Sequence, residues 1–248
     1  MKISIITATY NSAATVEDTL DCIRRQEHPD IEHIIVDGRS TDSTLKIVSG
    51  FPHVAKILSE KDSGIYDAMN KGIGLATGDI IGILNSDDIY TDPSVLTAVA
   101  DAFKDPAVMT AYADLQYVHA DEPDRVLRTW KTGTFQKKSF YYGWMPPHPT
   151  FFVRREVYEK VGNFNISLRS AADYELMLRI LLKYGMSVVY IPRVIVKMRA
   201  GGMSNASIWN RIRANKEDRM AWKLNDLRPY FFTLYMKPLR KIPQFIIK

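Results

Sequence analysis

Two adjacent carboxylates, Asp87 and Asp88, close the segment Asn85-Ser86-Asp87-Asp88 directly after the apolar run Ile80 to Leu84. Neighbouring carboxylates repel unless a positive group lies between them and a ligand. A divalent Mg²⁺ or Mn²⁺ bridging to a diphosphate would be such a group, because hard cations prefer oxygen ligands. The plainer alternative is a turn that Asp88 starts and Asp87 caps. Three other acidic or polar turns follow apolar runs in the same way: Thr7-Ala8-Thr9-Tyr10-Asn11, Asp37-Gly38-Arg39-Ser40-Thr41-Asp42 and Glu60-Lys61-Asp62-Ser63-Gly64. Asp37 could accept hydrogen bonds from a base or ribose, or satisfy the backbone of its own turn. Asp42 reads as a helix-start residue. Tyr10 could flank a nucleobase or serve as a core aromatic. Four such turns are hard to explain as capping alone.

These residues need a scaffold that brings them to one edge. Apolar runs at 3–7, 31–36, 54–58, 80–84 and 108–112 read as strands. Helical patterns alternate with them: Val16, Leu20 and Ile23 behind a Ser12 N-cap, then 44–50, 65–76, and Leu96, Val99 and Phe103 behind Asp92-Pro93. Strands and helices in this order imply an α/β fold with a Rossmann-like, mostly parallel central sheet flanked by helices. In such sheets, ligands bind beyond the carboxyl ends of the strands, where all four turns fall. The second half is less regular. Segments 125–130 and 135–142 read as strands or extended loops, 150–153 as a strand, 155–161 and 173–184 as helices ended by glycine, 188–191 and 194–198 as strands flanking Pro192, and 205–224 as helix.

The 248 residues allow one large domain or two small ones, and 46% hydrophobic with 25% charged residues fits a folded globular chain. Cys22 is the only cysteine, so no internal disulfide forms and a reducing compartment is expected; Cys22 itself reads as core. No basic leader with an apolar core opens the sequence, and no apolar run approaches the ~20 residues of a membrane span. The expected location is the cytoplasm, with the inner face of the cytoplasmic membrane as a site of contact. The net charge is +5, but residues 208–248 hold ten Lys/Arg against three Asp/Glu, so the rest is nearly neutral. A basic tail with interleaved aromatics is either a solvated helical face or a contact for an anionic surface. A nucleic-acid binder would account for the tail but not for the acidic turns.

The order and spacing of four motifs carry a resemblance. Ile5-Ile6-Thr7-Ala8-Thr9-Tyr10-Asn11, Ile34-Ile35-Val36-Asp37-Gly38 with Ser40-Thr41-Asp42, Asp62-Ser63-Gly64-Ile65-Tyr66-Asp67-Ala68-Met69-Asn70-Lys71-Gly72, and Asn85-Ser86-Asp87-Asp88 together resemble family-2 glycosyltransferases of the GT-A fold. Among these the chain is similar to enzymes that build bacterial colanic acid, capsule or O-antigen. The resemblance runs from residue 1 to about 204. It implies a nucleotide-sugar-binding half at 1–112, an acceptor and catalytic half at 113–204, and a basic, aromatic helical segment at 205–248.

It also implies roles. Thr7, Thr9 and Tyr10 would flank the nucleotide, Asp37 would hold the base or ribose, Asp62 the base side of the pocket, and Lys71 would lie near sugar or phosphate. Asn85 stands where the family often has the first Asp of its Asp-x-Asp signature; its amide can still hydrogen-bond a ribose hydroxyl. Asp87 and Asp88 would carry Mn²⁺ or Mg²⁺. Ala171-Ala172-Asp173-Tyr174-Glu175-Leu176 matches the site of the catalytic base, with Asp173 in that role at a helix N-terminus, where the dipole favours the carboxylate. Glu175 projects about 200° away around the helix. His148, Lys197, Arg199 and the loop 201–204 would reach the acceptor or the diphosphate. The implied reaction is an inverting transfer from a nucleoside-diphosphate sugar, UDP-linked by family habit, to a saccharide or polyprenyl-linked saccharide. The rivals are a sugar nucleotidyltransferase, which needs a glycine-rich loop that Thr9-Tyr10-Asn11-Ser12-Ala13 does not supply, and a binding protein that keeps the fold without catalysis.

Overall fold

Strand β1 (Ile3–Thr9) is buried along its whole length, as expected of a strand covered on both faces. It pairs in parallel with β2 (Ile31–Asp37) on one side and β4 (Ile80–Ile83) on the other, and β2 pairs in parallel with β3 (Val54–Ser59). The crossovers carry helices α1 (Val16–Arg24), α2 (Thr44–Val48) and α3 (Ile65–Leu75). Alternating exposure along β3 marks it as the sheet edge. Helix α3 lies flat against β1 because Gly72 faces it: a Cβ there would lie 2.4 Å from Ile6 Cγ2. The computed structural model describes residues 1–201, 208–241 and 244, without the side chains of 208–214.

The remaining elements are β5 (Asp88–Tyr90), α4 (Val95–Ala102), β6 (Thr110–Val118), β7 (Val126–Trp130), α5 (Lys137–Tyr141), β8 (Phe152–Arg154), α6 (Arg155–Val161), α7 (Ala172–Leu178), β9 (Val188–Arg199), α8 (Ile208–Leu224) and α9 (Thr233–Leu239). Among the described residues the nine strands form one sheet, ordered β3-β2-β1-β4-β8-β6-β9-β5, with β7 on β6. Parallel pairing governs the first half and returns at β6–β9; β8 and β5 join antiparallel.

Several boundaries differ from the sequence expectations. Residues 137–141 form a helix, not an extended segment, because Phe140 turns inward against Phe135 and Trp144. Pro192 does not split its strand. The chain runs through it with a bulge opposite Ala113 and Asp114, a position where a residue without an N–H is tolerated. Helix α7 ends in a π turn over Arg179–Lys183. Ser12 does not cap α1 through its hydroxyl, which instead meets Ser86 Oγ at 2.9 Å. Cys22 is core, and burial pushes its thiol up to about 12.

The C-terminal segment is helical, as expected, but its inner side is core. Ala221, Trp222 and Leu234 are buried in the same cluster as Tyr174, Leu176 and Met177 of α7. Gly143 makes room for α9, since a Cβ there would lie 2.4 Å from the Lys237 nitrogen.

At the opposite edge of the sheet from the acidic turns, Glu32 is 4% exposed. It accepts hydrogen bonds from Ser4 Oγ (2.6 Å), Thr77 N (2.8 Å) and Thr77 Oγ1 (2.8 Å) and pairs with Lys56 (3.1 Å) and Lys2 (3.3 Å). Burial opposes ionisation, but these donors outweigh it and hold the carboxyl at about 2. A depressed native value stabilises above the unfolded value, near 4.5, and that stability is lost as pH falls towards 2. Urea unfolding across pH 2 to 6 is therefore expected to show a steeper acid loss in the wild type than in Glu32→Gln. Parallel curves would remove Glu32 as the source.

Candidate functional site

Parallel register sets the donor edge. Thr9 on β1, Asp37 on β2 and Ser59 on β3 lie abreast. Asp37, fully buried, accepts from Thr9 Oγ1 (3.0 Å), Ser40 Oγ (2.5 Å), Ser40 N (3.0 Å) and Ser59 Oγ (2.8 Å). Burial would raise its pKa; the bonds from Ser40, Ser59 and Thr9 outweigh this and hold the carboxyl below its usual value. Both oxygens are thus engaged in shaping the turn, the role that the sequence left open for Asp37 beside contact with base or ribose. Thr9 acts with it. Thr7 does not reach the site: it is buried, and its hydroxyl lies 3.1 Å from His33 Nε2, whose other nitrogen lies 3.1 Å from His53.

The turn so shaped presents Gly38. A Cβ at this position would lie 2.5 Å from Asp62 Oδ2 and 3.4 Å from Tyr10 Cδ2. The Asp62 carboxylate therefore occupies the space a side chain at 38 would take, beside the Tyr10 ring, which is 65% exposed. Gly64 N holds Asp62 Oδ1 at 2.9 Å, and Gly64 adopts φ 122°, a conformation that favours glycine. Asp42 is a turn residue, as expected: it binds Thr44 N, Thr44 Oγ1 and Ala13 N.

The stretch Ile65 to Gly72 resolves residue by residue. Tyr66 Oη donates to Asp173 Oδ1 at 3.1 Å. Asp67 accepts from Ser63 N (2.9 Å), and Asn70 clamps Phe164 through its carbonyl and N–H, both at 2.9 Å. Lys71 pairs with Glu60 (2.9 Å) and Asp67 (3.4 Å) and donates to Lys61 O (3.0 Å). It ties the Glu60 to Gly64 loop to α3.

At the end of β4, Asp87 and Asp88 separate in character. Asp88 is 0% exposed and opens β5; its Oδ2 accepts from Asn85 Nδ2 at 2.8 Å. Burial and the neighbouring Asp87 push its pKa well up. Asp87 is half-buried, raised by burial and drawn back by Arg199. Access therefore favours Asp87 as the more open of the two carboxylates expected to carry an ion. Arg199 grips the turn itself: it donates to Asp87 O (3.0 Å) and Ala120 O (3.0 Å) and pairs with Asp18. Lys197, across from Ile89 on β5, pairs with Asp124 at 2.7 Å. Of the loop 201–204, residues 202–204 lie outside the described residues.

The donor atoms present suit a hard cation. Asn85 Oδ1 and Asp88 Oδ1 are buried without a hydrogen-bond partner, and Asp87 adds a carboxylate. Among the described residues no group of three His, Cys, Asp or Glu could hold a metal alone. An ion here would take its remaining oxygens from a bound diphosphate and water, as Mg²⁺ sites commonly do.

Asp173 lies in the first turn of α7, beside Tyr66. Its charge also bears on His148, whose pKa burial lowers and Asp173 draws back up. His148 meets Phe164 edge-on at 5.5 Å, and Phe164 stacks on Tyr66. Arg128 lies 3.6 Å over the Tyr117 ring; burial raises the tyrosine's pKa and Arg128 opposes it. Sequence reading missed Tyr66, Tyr117 and Arg128. Tyr66 stood inside a quoted motif; the other two lay in a β-ribbon without a local signal.

This curled α/β sheet, with polar turns at the carboxyl ends of its parallel strands, defines the GT-A class of nucleotide-sugar folds. The chain belongs to glycosyl transferase family 2, whose sequence model matches residues 4–162. It is 32% identical over 214 residues to a PGL/p-HBAD biosynthesis glycosyltransferase of Mycobacterium bovis, covering 83% of this chain and 80% of that protein. The fold is similar to S. aureus TarS residues 1–349 in complex with UDP-GlcNAc (TM-score 0.68, 18% identity, 99% of this chain and 79% of that one). It is also similar to a mannosyltransferase from Pyrobaculum calidifontis in complex with GDP-Man and Mn²⁺ (TM-score 0.68, 21% identity, 95% and 68%).

Tyr66→Phe keeps the ring stack and removes one hydrogen bond to a carboxylate. Glycosyl transfer is expected to fall by about ten- to a hundredfold with little change in melting temperature. Unchanged turnover would show that this bond has no part in catalysis.

Proposed function

We propose that the protein is an inverting, metal-dependent glycosyltransferase that moves a sugar from a nucleoside diphosphate, UDP in the first instance, to a saccharide or polyprenyl-linked saccharide in surface polysaccharide synthesis. The observation that carries this is the hydrogen bond from Tyr66 to Asp173 in the first turn of a helix. Family membership and the name of the mycobacterial relative support the class of reaction. The nucleotide sugars and Mn²⁺ bound by the two structural neighbours support the donor and the ion. No helix among the described residues is long and apolar enough to cross a membrane. A cytoplasmic enzyme meeting a lipid-linked acceptor at the inner membrane face fits this reading.

Tyr10 and Asp62 flank the base over Gly38, and the Asp37 cluster fixes that floor. Asn85 hydrogen-bonds the ribose, and Asp87 supplies the carboxylate for the ion. When bound, Mn²⁺ or Mg²⁺ would offset charge on the diphosphate. The acceptor hydroxyl attacks the anomeric carbon, its proton passes to Asp173, and the bond from that carbon to the diphosphate oxygen breaks. Tyr66 orients Asp173, and His148 lies toward the acceptor. A single displacement inverts the anomeric centre and needs no covalent intermediate.

Calorimetry with UDP, GDP and TDP, with and without Mn²⁺, tests the donor site. One nucleotide is expected to bind in a metal-dependent way, and Asp87→Ala to lose that dependence. Equal affinity with and without Mn²⁺ would refute the ion assignment. Asp173→Asn is expected to bind donor normally and lose transfer by about 10²- to 10⁴-fold. Wild-type turnover in that variant would place the base elsewhere.

A further inference from the structure

Outside the site, the most unusual surface lies on the C-terminal helices. Phe231 is 89% exposed, Tyr235 60% and Leu239 52%. Their spacing of four places Tyr235 and Leu239 on one side of α9, with Phe231 in the turn that leads into it. The other side of α9 is spoken for: Thr233 and Leu234 are buried, and Thr233 Oγ1 donates to Tyr141 O at 2.6 Å. The stripe continues into an aromatic cluster. Phe231 meets Phe232 (5.2 Å), which meets Tyr230 (5.4 Å) and Tyr142 (5.6 Å). The cluster is rooted in the core through Tyr141 and Trp222, 5.0 Å apart.

The charge around this surface is one-sided. Lys223, Arg228, Arg240 and Lys241 are exposed. The acids between residues 218 and 241 are matched within the protein: Asp218 pairs with Lys237 and Asp226 with Lys183, each at 2.7 to 2.8 Å. Exposed aromatic and aliphatic side chains with exposed cations close by in sequence suit the headgroup boundary of an anionic bilayer. There rings settle between water and hydrocarbon, and cationic stems reach outward to phosphate. A second copy docked on the same face by two-fold symmetry would bring these cations against one another. A single-stranded nucleic acid would use the aromatics for stacking but would gain nothing from Leu239.

We propose that the surface formed by Phe231, Tyr235 and Leu239, flanked by Arg228 and Arg240, is a docking face for anionic phospholipid membrane. It goes beyond the transfer reaction and does not rest on it. The face is joined to the helix that carries Asp173: Lys237 of α9 lies 3.7 Å over the Tyr174 ring, and Trp222 Nε1 of α8 donates to Tyr174 Oη at 3.0 Å. Membrane contact would thereby hold the catalytic half in a fixed orientation to the bilayer.

Vesicle cosedimentation of the full chain, without donor or acceptor, tests this separately from catalysis. Binding is expected to vesicles containing phosphatidylglycerol and not to pure phosphatidylcholine, and to weaken as salt rises. Phe231→Ser with Tyr235→Ser, and separately Arg228→Glu with Arg240→Glu, are each expected to weaken binding by about tenfold or more. Transfer to a water-soluble acceptor should stay unchanged in both. Wild-type protein that ignores phosphatidylglycerol, or double variants that bind as well as wild type, would overturn the proposal. A wild-type dimer dispersed by the same substitutions would assign the face to a second copy. Binding to an oligonucleotide but not to vesicles would assign it to nucleic acid.

Discussion

A buried carboxylate holds the donor edge together. Asp37 sits at the end of β2 with its neighbours on β1 and β3 in register beside it, so three strand ends share one charge. Burying an ion is costly unless its lone pairs are filled, and here Thr9, Ser40 and Ser59 fill them. The same bonds fix the path of the chain through Gly38, and that path decides where Asp62 and Tyr10 can stand. Asp37 therefore works from below, under the groups it positions.

The second half repeats this logic with different materials. Asp173 takes its orientation from α3, through Tyr66, while α7 itself is gripped from the other side by α8. Trp222 bonds Tyr174, Asn225 bonds Glu175 Oε1 at 3.0 Å, and Glu217 accepts from Ser170 N at 2.7 Å. Lys237 of α9 lies 3.7 Å above the Tyr174 ring. Glu175 meanwhile forms a buried pair with Arg179 (2.7 Å), which accounts for it without any part in chemistry. Two helices from distant parts of the chain thus bracket one short helix.

The first half was legible in sequence because its signals are local. Apolar runs, glycines and polar turns alternate at short range, and β1 to β4 fall within a residue or two of expectation. The acidic turns could be placed at one edge by the parallel-sheet rule alone. What escaped depends on distant partners. Asp88 to Tyr90 become a strand only because β9, more than a hundred residues on, pairs with them. Thr7 shares a face with Thr9, but it lies two residues deeper along β1, where its hydroxyl meets His33. Lys71 and Lys197 were cations near expected phosphates, but Glu60 and Asp124 claim them. Spacing identifies residues that arrive at an edge, and it cannot tell which of them are already neutralised there.

The grip of α8 on α7 bears on how the protein comes into being. The ribosome delivers β1 to β4 first, and all their partners up to that point are close in sequence, so the donor edge can assemble early. Trp222 and Asn225 emerge some fifty residues after the helix they secure. A nascent chain halted between the two would have its strand-end turns in place while α7 still lacked the contacts that hold it. The packing of α7 thus waits until the last helices emerge.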